Sequence, residues 1–281
     1  MKAKALDQFY TKPEVARACI AHVPQKYRQG YTWLEPASGS GSFFNNFPTE
    51  DKVAVDIDPK IPEALQSDFF EYTPTQGENV ITVTNPPFGK FSKLAVEFFN
   101  HAATFSKAIC VLVPCSFEEH RIQRRLDKRF KLTFQQRVRH NAFSFEGKDY
   151  PLRCVFQVWE IDADIDLRCT SKVKYDTHED FTLVAEPSKK RELRPTAHKE
   201  MDYDFAVPWW DCKRKTLSRE EMQSKDTCTS YWLIKTNSPQ FVEKVENADL
   251  VSWSAAGQKT APAIRWNDFI KAYDGLKAIL I

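Results

Sequence analysis

The β-branched run Val80-Ile81-Thr82-Val83 ends in Thr84-Asn85-Pro86-Pro87-Phe88-Gly89. Consecutive prolines cannot donate ladder hydrogen bonds, so a strand must stop there, and Asn85, preceding a proline, is driven to an extended backbone. The resulting loop is stiff. It offers the Asn85 side-chain carbonyl and the Pro86 backbone carbonyl as acceptors beside the flat Phe88 ring. Two acceptors and one ring suit a planar amino group on an aromatic system. A proline-terminated strand followed by a core phenylalanine fits the same residues.

Upstream, Tyr31-Thr32-Trp33-Leu34-Glu35-Pro36-Ala37-Ser38-Gly39-Ser40-Gly41-Ser42-Phe43 reads as a strand, a glycine turn and a short helix. Gly39 and Gly41 allow a tight turn and close approach of a ligand that a Cβ would exclude. Lys52-Val53-Ala54-Val55-Asp56-Ile57-Asp58 is a second strand ending in carboxylates. An acid at the tip of the strand after a glycine turn commonly receives ribose hydroxyls. Asp68-Phe69-Phe70 adds a third acidic point. A dinucleotide fingerprint fits poorly on two counts. Phe44 occupies the slot of its third glycine, and Asp56 follows Gly41 by 15 residues instead of the usual ~20.

Strand-like runs at 31–36, 52–57, 79–84, 107–113 and 152–160 alternate with helical stretches. The helices are expected at Pro13 to His22, with Thr11 as cap, at Ser92 to Phe105, and at Ser116 to Phe130. The last opens as a capping box and carries an Arg-rich outer face. The alternation predicts an α/β fold with a doubly wound, mostly parallel sheet. Ligands then bind beyond the carboxyl ends of the strands, where the glycine turn, Asp56 and Asn85 all fall. After about residue 165 the texture changes to a smaller mixed region, 166–281. There Trp209, Trp210, Trp232, Trp253 and Trp266 either fill a core or, with Lys213-Arg214-Lys215, stack on bases.

Seven cysteines, scattered and without a Cys-x-x-Cys pair, favour a reducing compartment, cytoplasmic or nuclear, over a disulfide framework or a metal cluster. No apolar run reaches the ~18 residues of a membrane span. The net charge of +2 is uninformative, but from Arg121 to Arg139 there are eight basic residues and one acid. Lys189-Lys190-Arg191 and Arg194 form a second cluster. Each cluster is either a solvated face or part of a phosphate track, with Arg121, Arg124 and Arg125 as candidate contacts. His101, His120 and His140 read as surface or structural residues.

The ordered series of glycine turn, strand-end acid, Asp-Phe and Asn-Pro-Pro-Phe resembles the class I S-adenosylmethionine-dependent amino-methyltransferases, particularly the adenine-N6 type. Glu35-Pro36-Ala37-Ser38-Gly39-Ser40-Gly41 is similar to the family's methionine-pocket loop, Asp56 to its ribose acid and Asp68-Phe69 to its adenine-edge motif. Asp7-Gln8-Phe9-Tyr10-Thr11-Lys12-Pro13-Glu14 is similar to the N-terminal segment that closes over the cofactor, although Lys12 is interposed before the proline. The motif order is γ-like, and the likeness covers roughly residues 5–160. It implies S-adenosylmethionine contacts at Tyr10, Thr11, Glu35, Pro36, Ser38, Gly39, Gly41, Asp56, Asp58, Asp68, Phe69 and Asn85. It implies catalysis by Asn85, Pro86, Pro87 and Phe88, with Phe143 or Phe145 as a second aromatic on the target base. Adenine N6 in nucleic acid, DNA ahead of RNA, is the expected target. Guanine N2 of RNA, a protein glutamine amide, and a nucleic-acid-binding fold without turnover are the alternatives.

Overall fold

The structure is a computed structural model that describes residues 9–75, 77, 79–139, 141–145, 147–150, 152–169, 178–185, 195–253, 264 and 266–275. Asp7, Gln8, His140 and the Lys189–Arg194 cluster lie outside the described residues, as does the side chain of Phe145. The chain divides into two compact units, Met1–Lys172 with Ile279–Ile281, and Val173–Ala278.

The first unit is built on a seven-stranded sheet of β2 (Thr32–Glu35), β3 (Lys52–Asp56), β4 (Leu65–Gln66), β5 (Val80–Thr84), β6 (Ser106–Pro114), β7 (Lys131–Arg137) and β10 (Cys154–Glu160). Its order is β4-β3-β2-β5-β6-β10-β7. The first five strands are parallel, and β10 runs antiparallel to both β6 and β7. The expected doubly wound, mostly parallel α/β sheet is therefore present. Every residue of β5 is buried, as a central parallel strand covered on both faces requires. The order reverses at β2, which lies between β3 and β5, so the loops leaving β2 and β5 diverge and open a crevice.

Two helices follow the segments that reach this crevice, and the second lines it through Leu94 and Phe98. α1 (Pro13–Ala21) has Pro at its first turn and buries Val15, Ala16, Cys19 and Ile20. Its N-cap is Lys12 and makes no side-chain cap bond; Thr11 belongs instead to a short strand, β1 (Tyr10–Thr11). α2 (Lys93–Ala102) buries Ala95, Val96, Phe99 and Ala102. The long helix expected from Ser116 to Phe130 does not form. A 3-10 turn at Cys115–Glu118 and a four-residue α3 (His120–Gln123) are separated by Glu119 in extended geometry. The groups of the supposed capping box have other partners. Ser116 Oγ bonds Ser92 Oγ (2.9 Å), and Glu119 takes the Arg121 guanidinium (2.5 Å). Beside them Glu118 takes the Arg137 guanidinium in a bidentate pair (2.9 and 2.6 Å), which anchors the turn.

A second, three-stranded sheet joins β1 to a hairpin of β8 (Phe143–Phe145) and β9 (Lys148–Tyr150), with Tyr10 opposite Ser144 and Thr11 opposite Phe143. Residues up to Cys169 stay with the first unit. Arg168 donates to the Gln123, Asp127 and Phe130 carbonyls, and its guanidinium lies 4.8 Å from the Trp159 ring.

The second unit carries an antiparallel sheet, β11 (Phe181–Ala185), β14 (Tyr231–Thr236), β12 (Phe205–Pro208) and β13 (Leu217–Ser218), in that order. Its helices include α4 (Arg219–Gln223), opened by a Ser218/Glu221 capping box, and α7 (Trp266–Tyr273); α5 (Phe241–Asn247) and α6 (Leu250–Trp253) lie between them. Trp232, Trp253 and Trp266 are buried in an aromatic core with Phe181, Phe241, Phe269 and Tyr273. Trp209 and Trp210 are only half-buried, and the Arg214 guanidinium sits 4.6 Å over the Trp210 ring.

Candidate active site

The crevice between the β2 and β5 loops is a pocket of ≈ 520 Å³ within the first unit. Tyr10, Thr11, Glu35, Pro36, Ser38, Gly39, Asp56, Asp68, Phe69, Asn85, Pro86, Pro87 and Phe88 all line it. Residues scattered over nearly eighty positions of sequence are thus brought to one wall.

The glycine turn forms the floor. Gly39 has φ +48°, and a Cβ there would lie 3.1 Å from the Tyr10 ring, so only glycine lets the N-terminal segment close so tightly. Asp56, 9% exposed at the tip of β3, fastens this turn. Its Oδ2 accepts from the Gly39 N–H (2.7 Å) and its Oδ1 from the Asp58 N–H (2.8 Å). A carboxylate has further lone pairs, so both bonds leave room for a ligand hydroxyl.

Glu35, at the end of β2, is 2% exposed and accepts from the Phe44 N–H (2.7 Å). Burial pushes its carboxyl well above the ordinary range; the Phe44 bond opposes this and the neighbouring Asp56 carboxylate adds to it. The folded chain therefore holds a proton that the unfolded chain releases. This contribution to stability is complete below the ordinary carboxyl pKa of ~4.3 and is lost as pH rises toward the folded value. Glu35→Gln keeps an acceptor for Phe44 without titrating. Thermal melts from acidic to neutral pH are expected to show the parent losing stability relative to the variant as pH rises; parallel curves would exclude a raised pKa.

Asn85 is held from a distance in sequence. Its Nδ2 donates to the Phe9 carbonyl (2.9 Å), which fixes the amide orientation, and Phe9 itself stacks on Tyr150 of the β8–β9 hairpin (4.7 Å). The Asn85 Oδ1 is buried without a partner among the described residues, and so are Ser38 Oγ and Thr11 Oγ1. A buried acceptor left alone costs about 1–3 kcal/mol, which a ligand N–H reaching it would recover. Phe88 lines the same wall at 9% exposure.

Several expected contacts lie elsewhere. Gly41 does not line the pocket; it has φ +78°, and a Cβ would meet Asn45 at 2.8 Å, so its role is to make the turn. Asp58 is exposed, pairs with Lys60 (2.7 Å) and acts through its backbone N–H. Asp68 does line the pocket and also caps the turn at Phe69–Glu71 through the Phe70 N–H (3.0 Å). Phe143 is fully buried opposite Thr11, a core residue of the small sheet with no free face for a base. None of Arg121, Arg124 and Arg125 lines the pocket. Arg121 pairs with Glu119, and the Arg125 carbonyl accepts from Asn100 in the last turn of α2. His101 is structural, bonded to the Tyr72 carbonyl and set edge-on to Phe69.

Residues not singled out beforehand complete the wall, notably Ile57 (59% exposed), Phe70 (41% exposed), Phe98 and Lys90. The signal for Ile57 was an apolar side chain between two carboxylates at a strand end, where nothing in the core could take it.

No family model matches the chain, and no curated protein matches it. Among solved structures, a Pyrococcus horikoshii protein provisionally described as an RNA methyltransferase is 15% identical, covering 56% of this chain and 87% of that one, with TM-score 0.44. A modification subunit ascribed to a type I restriction enzyme of Vibrio vulnificus is 17% identical over 57% of this chain, with TM-score 0.40; the chain spans only 46% of that subunit. The 23S rRNA methyltransferase ErmE is 14% identical, covering 58% of this chain and 73% of that one, with TM-score 0.44.

Proposed function

We propose that this chain transfers a methyl group from S-adenosylmethionine to the exocyclic N6 amine of adenine in nucleic acid, DNA ahead of RNA. The observation that carries the reading is the Asn85 amide: its Nδ2 is spent on Phe9 and its Oδ1 is buried without a protein partner among the described residues, in a residue that lines the pocket together with Phe88. An oriented acceptor beside an aromatic ring selects an N–H on a flat heterocycle.

The residues also fit the donor. Gly39 lets the Tyr10 ring close on the turn that lines the pocket, and Asp56 retains lone pairs for a ribose diol. Ile57 and Phe70 offer apolar faces for a purine, and the unpartnered Ser38 and Thr11 hydroxyls can meet the polar methionine end. When bound, S-adenosylmethionine supplies a methyl group already activated on sulfonium. An adenine amine is a poor nucleophile because its lone pair is delocalised into the ring. Asn85 Oδ1 and the Pro86 carbonyl, by accepting its N–H bonds, favour a pyramidal nitrogen. Phe88 holds the ring, with stacking worth ~1–3 kcal/mol per base. Positioning then supplies most of the acceleration. The N–C bond would form as the S–C bond breaks, S-adenosylhomocysteine would leave, and the methylated nitrogen, now an acidic cation, would give its extra proton to water, so no strong base is required. A base in a duplex would have to leave the stack to reach Asn85.

Calorimetric titration is expected to show S-adenosylmethionine binding. Fluorescence anisotropy with duplex DNA, single-stranded DNA and RNA is expected to show affinity falling steeply with salt, since each neutralised phosphate releases counterions. Binding indifferent to salt on all three probes would favour the glutamine alternative.

A further inference from the structure

We propose that Phe91 is a base-stacking residue, whose ring at the pocket rim takes the nucleobase next to the one that enters the pocket. The inference rests on the nucleic-acid reading above and deepens it.

Phe91 is 73% exposed, the most exposed large hydrophobic side chain among the described residues. Its backbone has φ +56° and that of Ser92 has φ +60°, two successive non-glycine residues in the left-handed region. A bulky side chain there is a steric outlier. Strain of this kind persists only where the surroundings over-determine it, and it clusters at ligand-handling sites. An exposed ring gains nothing from burial to offset it.

The surroundings do over-determine it. Gly89 has φ +66°, and a Cβ on it would lie 2.8 Å from the Leu94 Cβ, so the loop packs directly on the start of α2. The Ser92 N–H donates to the Gly89 carbonyl (3.2 Å), the Ala95 N–H donates to the Phe88 carbonyl (3.3 Å), and Ser92 Oγ bonds Ser116 Oγ (2.9 Å). The ring is therefore presented outward by a pinned loop.

Its position relative to the site is equally defined. Phe88 lines the pocket, and Phe91 follows three residues later on the same loop. Between them, Lys90 also lines the pocket, with its ammonium 5.5 Å from the Phe91 ring. A ring lining the pocket, an exposed ring three residues on, and a pocket-lining lysine whose ammonium reaches the exposed ring fit two successive bases and the phosphate that joins them. A protein partner would call for a broader apolar patch around Phe91, and its loop neighbour is instead a charged lysine.

The test uses fluorescence anisotropy with labelled short oligo(dA), oligo(A) and a base-free sugar–phosphate oligomer. Phe91→Asn and Phe91→Gly place residues at home in the left-handed region and remove the ring; Phe91→Trp keeps a stacking face. Loss of one stacked base is expected to weaken oligo(dA) or oligo(A) binding about 5- to 150-fold in the Asn and Gly variants. The Trp variant is expected to bind like the parent. The base-free oligomer is expected to bind parent and variants alike, and S-adenosylmethionine affinity should not change. If the Asn and Gly variants bind the adenine oligomers as tightly as the parent, the stacking role is overturned while the function stands. If the parent binds S-adenosylmethionine but none of the oligomers, the nucleic-acid reading falls, and this inference with it. Capture of a peptide substrate dependent on Phe91, without oligomer binding, would assign the ring to a protein partner instead.

Discussion

Asn85→Ala is expected to turn over roughly 10²–10³-fold more slowly, the usual cost of deleting one preorganised hydrogen bond to a reacting group, and, because it also deletes the Nδ2 bond to Phe9, to hold S-adenosylmethionine less tightly than the parent. The expectation follows from the division of labour within one amide: Nδ2 anchors Phe9 at 2.9 Å, while the partnerless Oδ1 is left for the substrate. Asn85→Asp separates the two roles. It still offers an acceptor toward the pocket, but it sets a second oxygen against the Phe9 carbonyl and should release the N-terminal strand. Single-turnover kinetics with each variant, alongside calorimetric titration of the cofactor, distinguishes them. An Asn85→Ala enzyme within a few-fold of the parent rate would remove the amide from the mechanism.

Asp56→Ala should have a compound effect, larger than the loss of a ligand contact alone. The carboxylate bonds the Gly39 and Asp58 N–H groups; removing it strands the half-buried Gly39 donor, while water can reach the exposed Asp58. At about 1–3 kcal/mol for one stranded group, the loss is on the order of 1–3 kcal/mol. In a domain of this size that corresponds to a melting temperature lower by roughly 2–12 °C. Cofactor affinity should fall as well, because the glycine turn loses its fastening. A ribose role is separated from the structural one by a cycle with deoxyribose analogues of S-adenosylmethionine. The parent should lose affinity for the analogue, and the variant should not lose it a second time. An Asp56→Ala protein with an unchanged melting temperature would contradict the fastening role.

The central strands were legible because each is a short, mostly apolar run with a defined end, and the parallel sheet follows from their alternation with helices. That Glu35, Gly39, Asp56 and Asn85 line one pocket was legible for the same reason, since all four sit at carboxyl ends of strands or just beyond them. What escaped depends on partners remote in sequence. The β8–β9 hairpin contains Lys148-Asp149-Tyr150, exposed throughout, with no apolar run to mark a strand. Its value is to pin Tyr10 and Thr11 and, through them, the Phe9 carbonyl on Asn85. Phe143 looked available for a base only because its partner Thr11 lies at the other end of the unit. The helix expected at Ser116–Phe130 failed likewise, Ser116 being drawn to Ser92 and Glu118 to Arg137. The positive φ of Phe91 has no signature in composition at all, since nothing local to Gly89-Lys90-Phe91-Ser92 favours it.

The central claim, transfer to adenine N6, is tested most directly by incubating the protein with methyl-labelled S-adenosylmethionine and unmethylated DNA or RNA. The nucleic acid is then digested and its nucleosides identified by mass spectrometry. The expected result is label in N6-methyldeoxyadenosine or N6-methyladenosine, and its absence with Asn85→Ala. Label in N2-methylguanosine, or in a protein glutamine, or in no nucleoside despite demonstrated S-adenosylmethionine binding, would contradict it.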